Sequence, residues 1–309
     1  MAGKQLKISV FMTATILLLS SSVTKATDRY WNVSSDNWST AANWLPLPGT
    51  EPTSSDDAYI FNGGTANVTL QGEVCNYLHL GNFGMIEMTG GSFTASYSEY
   101  VGTGGTGTFN HSAGTNTVSE ILFLGNDTDD NGTYNLSGTG LLNTSNEVIG
   151  DWGTGTFNHS AGINKVSGSY LVLGNNYGAS GTYNLSSTGQ LDTPNENIGS
   201  SGTGTFTQSG GTNTISNILN IGFLSGAKGT YNHSAGSNTV SNIVFLGFEM
   251  GSDGTYNLNG TGVLNTPHVE IGASGTGTFN HSGGTNTISD VLFLGTEMGG
   301  NGTYNLSDT

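Results

Sequence analysis

Four histidines recur in one setting of this 309-residue chain: His111, His159, His233 and His281 each stand two residues after a Phe or Tyr that follows Gly-Thr. Imidazoles in register are candidate metal ligands. Three acids close in sequence, Asp127, Asp129 and Asp130 in "NDTDDNG", suggest an oxygen-lined cation loop. Glu99, Glu147 and Glu196 share an offset 13 residues past a repeated start, as acids lining a catalytic groove would.

Each of these depends on how the chain repeats. The aromatic after Gly-Thr falls at Phe109, Tyr134, Phe157, Tyr183, Phe206, Tyr231, Tyr256, Phe279 and Tyr304, at intervals of 23 to 26 residues. A glycine closes nearly every unit 16 residues later, from Gly125 to Gly295, with Gly174 at 17. Two phrases largely alternate in this frame, "FNHSAGTNTVSEILFLG" and "YNLSGTGLLNTSNEVIG". A degenerate copy, "IEMTGGSFTASYSEYVG", occupies 86–102. Fixed spacing at this length is the mark of stacked repeats.

Within a unit three short runs alternate apolar and polar residues, the two-residue period of strands, and no helical spacing appears after residue 26. Three strands in about 24 residues make one coil of a parallel β-helix, an all-β solenoid of roughly eleven coils and about 50 Å at about 4.8 Å per coil. Residues at one offset then stack as ladders. The Phe/Tyr positions read as an inner stack. The asparagines after them, Asn110, Asn135, Asn158, Asn184, Asn232, Asn257, Asn280 and Asn305, read as an amide ladder.

The frame weakens the chemistry. His111 and His159 lie two coils apart, about 9.6 Å, too far to share a zinc with bonds of about 2.0–2.1 Å. Leu136 and its counterparts fill the same slot in alternate coils, so the histidines read as an inner or rim stack. The loops equivalent to "NDTDDNG" lack its acids, which favours a solvated turn over a calcium site. The three glutamates sit in alternate coils, with only two basic residues in the array to help stabilise a carbanion. No enzyme activity, catalytic residue, metal or cofactor is expected. Threonines in "TNT" at 115–117, 212–214 and 285–287 suggest an ice-binding row, but leucines such as Leu142 interrupt it.

The ends differ from the middle. Residues 1–26 read as a secretion signal, with Lys4 and Lys7 before an apolar run too short to span a membrane. Secreted or outer-surface localisation follows, without a transmembrane segment. Removing the signal leaves three basic residues against 22 acids, 3 − 22 = −19. That balance excludes nucleic acid as a partner. The lone Cys75 rules out an internal disulfide. Residues 27–64 carry Trp31, Trp38 and Trp44 and read as a cap over the first coil, with glycan contact by those rings as the rival reading. The array, 65–309, stops five residues after Tyr304, which reads as truncation within a coil.

The opening "W…W…NW…P…DDAYIFNGG" and the units "GTGTFNHSGGTNTIS…LFLG…GTYNLS" resemble bacterial secreted β-helix repeat proteins of the PEP-CTERM-sorted and autotransporter-passenger types, including autotransporter-associated β-strand repeats. The resemblance implies a secreted or cell-surface rod, structural or adhesive; a carbohydrate-binding or polysaccharide-degrading β-helix is the alternative. Expected partners are extracellular polysaccharide, cell-surface components or other copies of the chain. Alternation from the inward residue before each closing glycine turns Phe123, Phe245 and Phe293 outward as a contact stripe; a bulge would bury them instead.

Overall fold

The computed structural model describes residues 27–307. Parallel coils of about 24 residues stack into a β-solenoid, with one 3-10 turn, Ala41–Asn43, and no α-helix among these residues. Register is continuous. At one position of the third strand, twelve residues follow one another in eleven parallel steps: Tyr30, Tyr59, His79, Tyr100, Phe123, Val148, Val172, Asn197, Asn220, Phe245, Glu270 and Phe293.

Identical offsets stack because parallel pairing places each residue over its counterpart one coil away. The aromatic positions from Phe109 to Tyr304 form an inner column with ring centroids 4.6–5.0 Å apart. Outside runs the amide ladder, each Asn donating Nδ2–H to the Oδ1 of the one below, as from Asn135 to Asn110 at 2.7 Å. It breaks between Asn184 and Asn232, where Thr207 takes the position.

The closing glycines turn the chain at positive φ. At Gly125, φ is +67° and a Cβ would lie 2.2 Å from the Thr154 carbonyl oxygen, so only glycine fits between coils there. The corners beyond them have either six or four residues. Six residues separate Gly247 from Gly254 and Gly295 from Gly302, but only four separate Gly272 from Gly277. Short corners therefore leave notches between longer ones.

Residues 27–64, expected to cap the first coil, pair with the array through backbone ladders. Asp28–Trp31 pairs in parallel with Asp57–Ile60, and Ser35–Asn37 with Thr65–Val68. Trp44–Leu45 folds back antiparallel on the first of these. The expected signal at 1–26 lies outside the described residues. Cys75 is buried and unpaired in the core.

Candidate functional site

The side chains singled out for chemistry mostly face inward. His111 Nε2–H donates to the Gly114 carbonyl at 3.0 Å, which leaves Nδ1 to accept from Tyr134 Oη–H at 2.9 Å. Tyr134 Oη in turn accepts from Asn116 Nδ2–H at 3.2 Å, and the same amide donates to Glu99 at 3.2 Å. The arrangement repeats two coils on with Glu147, Asn164, Tyr183 and His159. It returns with Glu196, Asn213 and Tyr231, where Gln208 replaces histidine.

Burial governs their charge. Desolvation holds His111, His159 and His233 down at about 4, so they are neutral. Desolvation raises Glu99 and Glu196 to about 8 and Glu147 to about 7. All three glutamates are fully buried, so they line no groove: the alternation that points Leu122 inward points Glu99 and Glu147 inward in the flanking coils. Among the described residues no group of three or more His, Cys, Asp or Glu is placed to hold a metal. The acids of 126–132 serve the corner itself. Asp130 accepts backbone N–H bonds from Gly105 at 2.6 Å, Asp127 at 3.1 Å and Gly104 at 3.2 Å.

The tryptophans are also inside. Trp31, Trp38 and Trp44 are at most 3 % exposed and pack edge-to-face at 4.7–5.0 Å, with Trp44 Nε1–H donating to the Trp38 carbonyl. Among the described residues no coil lies beneath the first, and these rings fill its interior. Their faces are therefore not open to a sugar.

Strand parity holds for Phe123 and Phe245, which are half-buried outside while Leu124 and Leu246 are buried; in the last described coil Phe293 and Leu294 are both exposed, at 47 % and 50 %. The phenylalanines do not form one stripe. Val148, Val172, Asn197 and Asn220 separate Phe123 from Phe245.

Phe123 belongs instead to a group of rings in the first coils. Tyr30, Tyr59, His79, Tyr100 and Phe123 stack face to face on the outer surface at 4.5–5.0 Å. Tyr77 and Tyr97 pack beside them, 4.8 Å from each other. Because column faces cover one another, their edges point outward. Tyr97 and Tyr30 are the most open, at 48 % and 45 %. Asp57, Thr103 and Asn126 join Tyr59, Tyr77, His79 and Tyr100 around a concavity of about 420 Å³. Desolvation lowers His79 to about 4 and raises Tyr59 to about 12, so neither of these two rings carries charge at neutral pH. Adjacent rings with a few polar groups in a shallow cleft suit a partner with apolar faces and hydroxyl or amide edges.

Sequence reasoning passed over Tyr59, Tyr77, His79, Tyr97 and Tyr100. A signal existed for two: His79 and Tyr100 stand two residues before Gly81 and Gly102, the offset of Phe123 before Gly125. The divergence of the early coils from the tidy repeat hid it.

Compared with protein-family models, with curated proteins and with solved structures, the chain matches none. Among the described residues no helix is long and apolar enough to cross a membrane.

Proposed function

We propose that this chain is a secreted or cell-surface structural and adhesive rod, without catalytic activity of its own, that engages partners through the outer rings of its first coils. The observation that carries this reading is the five-ring column from Tyr30 to Phe123, flanked by Tyr77 and Tyr97. A cluster of rings on one face of a rigid solenoid is more apolar than a surface without partners requires. The signal-like start and the resemblance to PEP-CTERM-sorted and autotransporter-passenger repeats support export. Extracellular polysaccharide, cell-surface components and other copies of the chain are the partner classes. The strongly acidic surface disfavours nucleic acid.

A second reading, carbohydrate binding, is favoured by Asp57, Thr103 and Asn126 among the rings, since hydrogen-bonding groups beside apolar edges recognise sugars. The test compares the mature protein with Tyr59→Ser/Tyr77→Ser/Tyr100→Ser on immobilised neutral polysaccharides, on bacterial surfaces and in self-association by sedimentation. Binding lost in the variant supports the adhesive reading, and loss confined to the polysaccharides supports the second. Equal behaviour of both proteins on every surface would sink it.

A further inference from the structure

The far end of the same edge carries a different chemistry. The corners 248–253 and 296–301 repeat the tripeptide Glu-Met-Gly at 249–251 and 297–299, two coils or about 9.6 Å apart. The short corner between them, 273–276, forms the floor of a notch. Phe245, Phe248, Met250 and Met298 line a groove of about 670 Å³ with Glu249, Glu270 and Glu297. Met250, in an interior coil, is 72 % exposed, although thioether side chains this apolar usually find cover. Phe248 packs edge-to-face on Phe245 at 4.8 Å, which makes one wall rigid.

The glutamates are not absorbed by the protein's own cations. Among the described residues the ion pairs are Arg29–Asp56 and His268–Asp290, and neither includes Glu249, Glu270 or Glu297. Glu249 accepts the Ser225 backbone N–H at 3.2 Å and Glu270 accepts from the Thr296 hydroxyl, which fixes both carboxylates at the rim. Nor do the three converge on a metal-binding group. Dispersed carboxylates around apolar side chains match several positive charges spread along one apolar segment. A second copy of this chain is a poor source, because the array offers only Lys165 and Lys228.

We infer that this notch is a docking groove for a cationic amphipathic peptide segment of another protein, with methionines and phenylalanines taking its apolar face and the glutamates pairing with its Lys or Arg side chains. Flexible thioethers adapt to such faces, and peptides of this kind lie in apolar grooves. The inference does not depend on the rings of the first coils.

Binding can be measured by fluorescence anisotropy at about 0.15 M salt, where long-range attraction to the acidic rod is screened beyond about 8 Å. The probes are synthetic Leu/Lys, Ser/Lys and Leu/Glu peptides of equal length. The Leu/Lys peptide should bind, at least about tenfold more tightly than Ser/Lys, a difference of about 1.4 kcal/mol. Met250→Ser/Met298→Ser should weaken it about tenfold, as should Glu249→Gln/Glu270→Gln/Glu297→Gln. Asp127→Asn/Asp129→Asn, which removes exposed acids elsewhere on the edge, should bind like the parent. Failure of the Leu/Lys peptide to bind overturns the groove. So does equal binding of Ser/Lys, or an equal loss in the Asp127/Asp129 variant, since either outcome reduces the effect to general charge attraction.

Discussion

Tyr134 donates its hydroxyl proton to Nδ1 of His111 across 2.9 Å, inside a solenoid where neither ring meets water. The bond joins two consecutive coils and completes a chain from Asn116 through Tyr134 and His111 to the Gly114 carbonyl. The phrase alternation thus has a physical basis: a coil bearing His in the inner slot is followed by one bearing Tyr above it. Tyr134→Phe keeps the ring stack but strands the His111 Nδ1 and removes one of the two bonds the Asn116 amide donates. The expected loss is about 1–3 kcal/mol, read from the denaturation midpoint. Phe157→Leu instead removes stacking without stranding a polar group, so unchanged stability in Tyr134→Phe would show that the network contributes nothing.

The amide ladder offers a gain-of-stability test. Thr207 stands in register between Asn184 and Asn232 and interrupts the column of side-chain bonds. Thr207→Asn lets the new amide donate to Asn184 Oδ1 and accept from Asn232 Nδ2. Each added bond is worth about 0.5–1.5 kcal/mol. Slower hydrogen exchange in the coils around 184–232 should report the gain. Exchange at or above the parent rate would show that the ladder is ornamental to stability.

Stability should form a plateau against pH. Desolvation raises Glu99 and Glu196 from an ordinary 4.5 to about 8, and Glu73 and Glu147 to about 7. Their folded pKa lies above the unfolded one, so the stability they contribute is complete below pH 4.5 and is lost as pH rises towards 8. His79, His111, His159 and His233 fall from 6.5 to about 4. Their contribution is present above 6.5 and is lost as pH falls through 4. Four groups of each kind oppose one another between 4.5 and 6.5, so urea midpoints should be flat there and decline on both sides. Glu99→Gln/Glu147→Gln/Glu196→Gln should flatten the alkaline limb. A midpoint that climbs steadily from pH 6.5 to 8 would contradict the burial of neutral carboxyls.

The outward parity of the third strand predicts separable effects. Phe123→Ser and Phe245→Ser remove half-buried outer rings, so each should cost well under the 3–5 kcal/mol of a buried Phe truncation. Leu124→Ala, on the inner side, should fall within the 2–5 kcal/mol expected of a core leucine. Thermal melts monitored at the β band would reveal an inverted order, and with it a parity error.

Period and composition alone determined the solenoid, because a coil that stacks on its copy must repeat its inward residues at fixed offsets. The inner Phe/Tyr column, the asparagine ladder, the His/Leu slot and the turning glycines were all legible for that reason. The candidate site was not. Whether Trp31, Trp38 and Trp44 face solvent or core depends on the Trp44–Leu45 strand folding back on the first one, a contact no repeat spells out. Glu99, Glu147 and Glu196 share an offset in the sequence, but only the register that seals them inside makes them neutral core residues. The rings Tyr30, Tyr59, His79, Tyr100 and Phe123 lie 20 to 29 residues apart in the least regular part of the chain. They become one surface only because coils of unequal length still close at the same register, since backbone pairing, unlike sequence spacing, absorbs insertions at the corners.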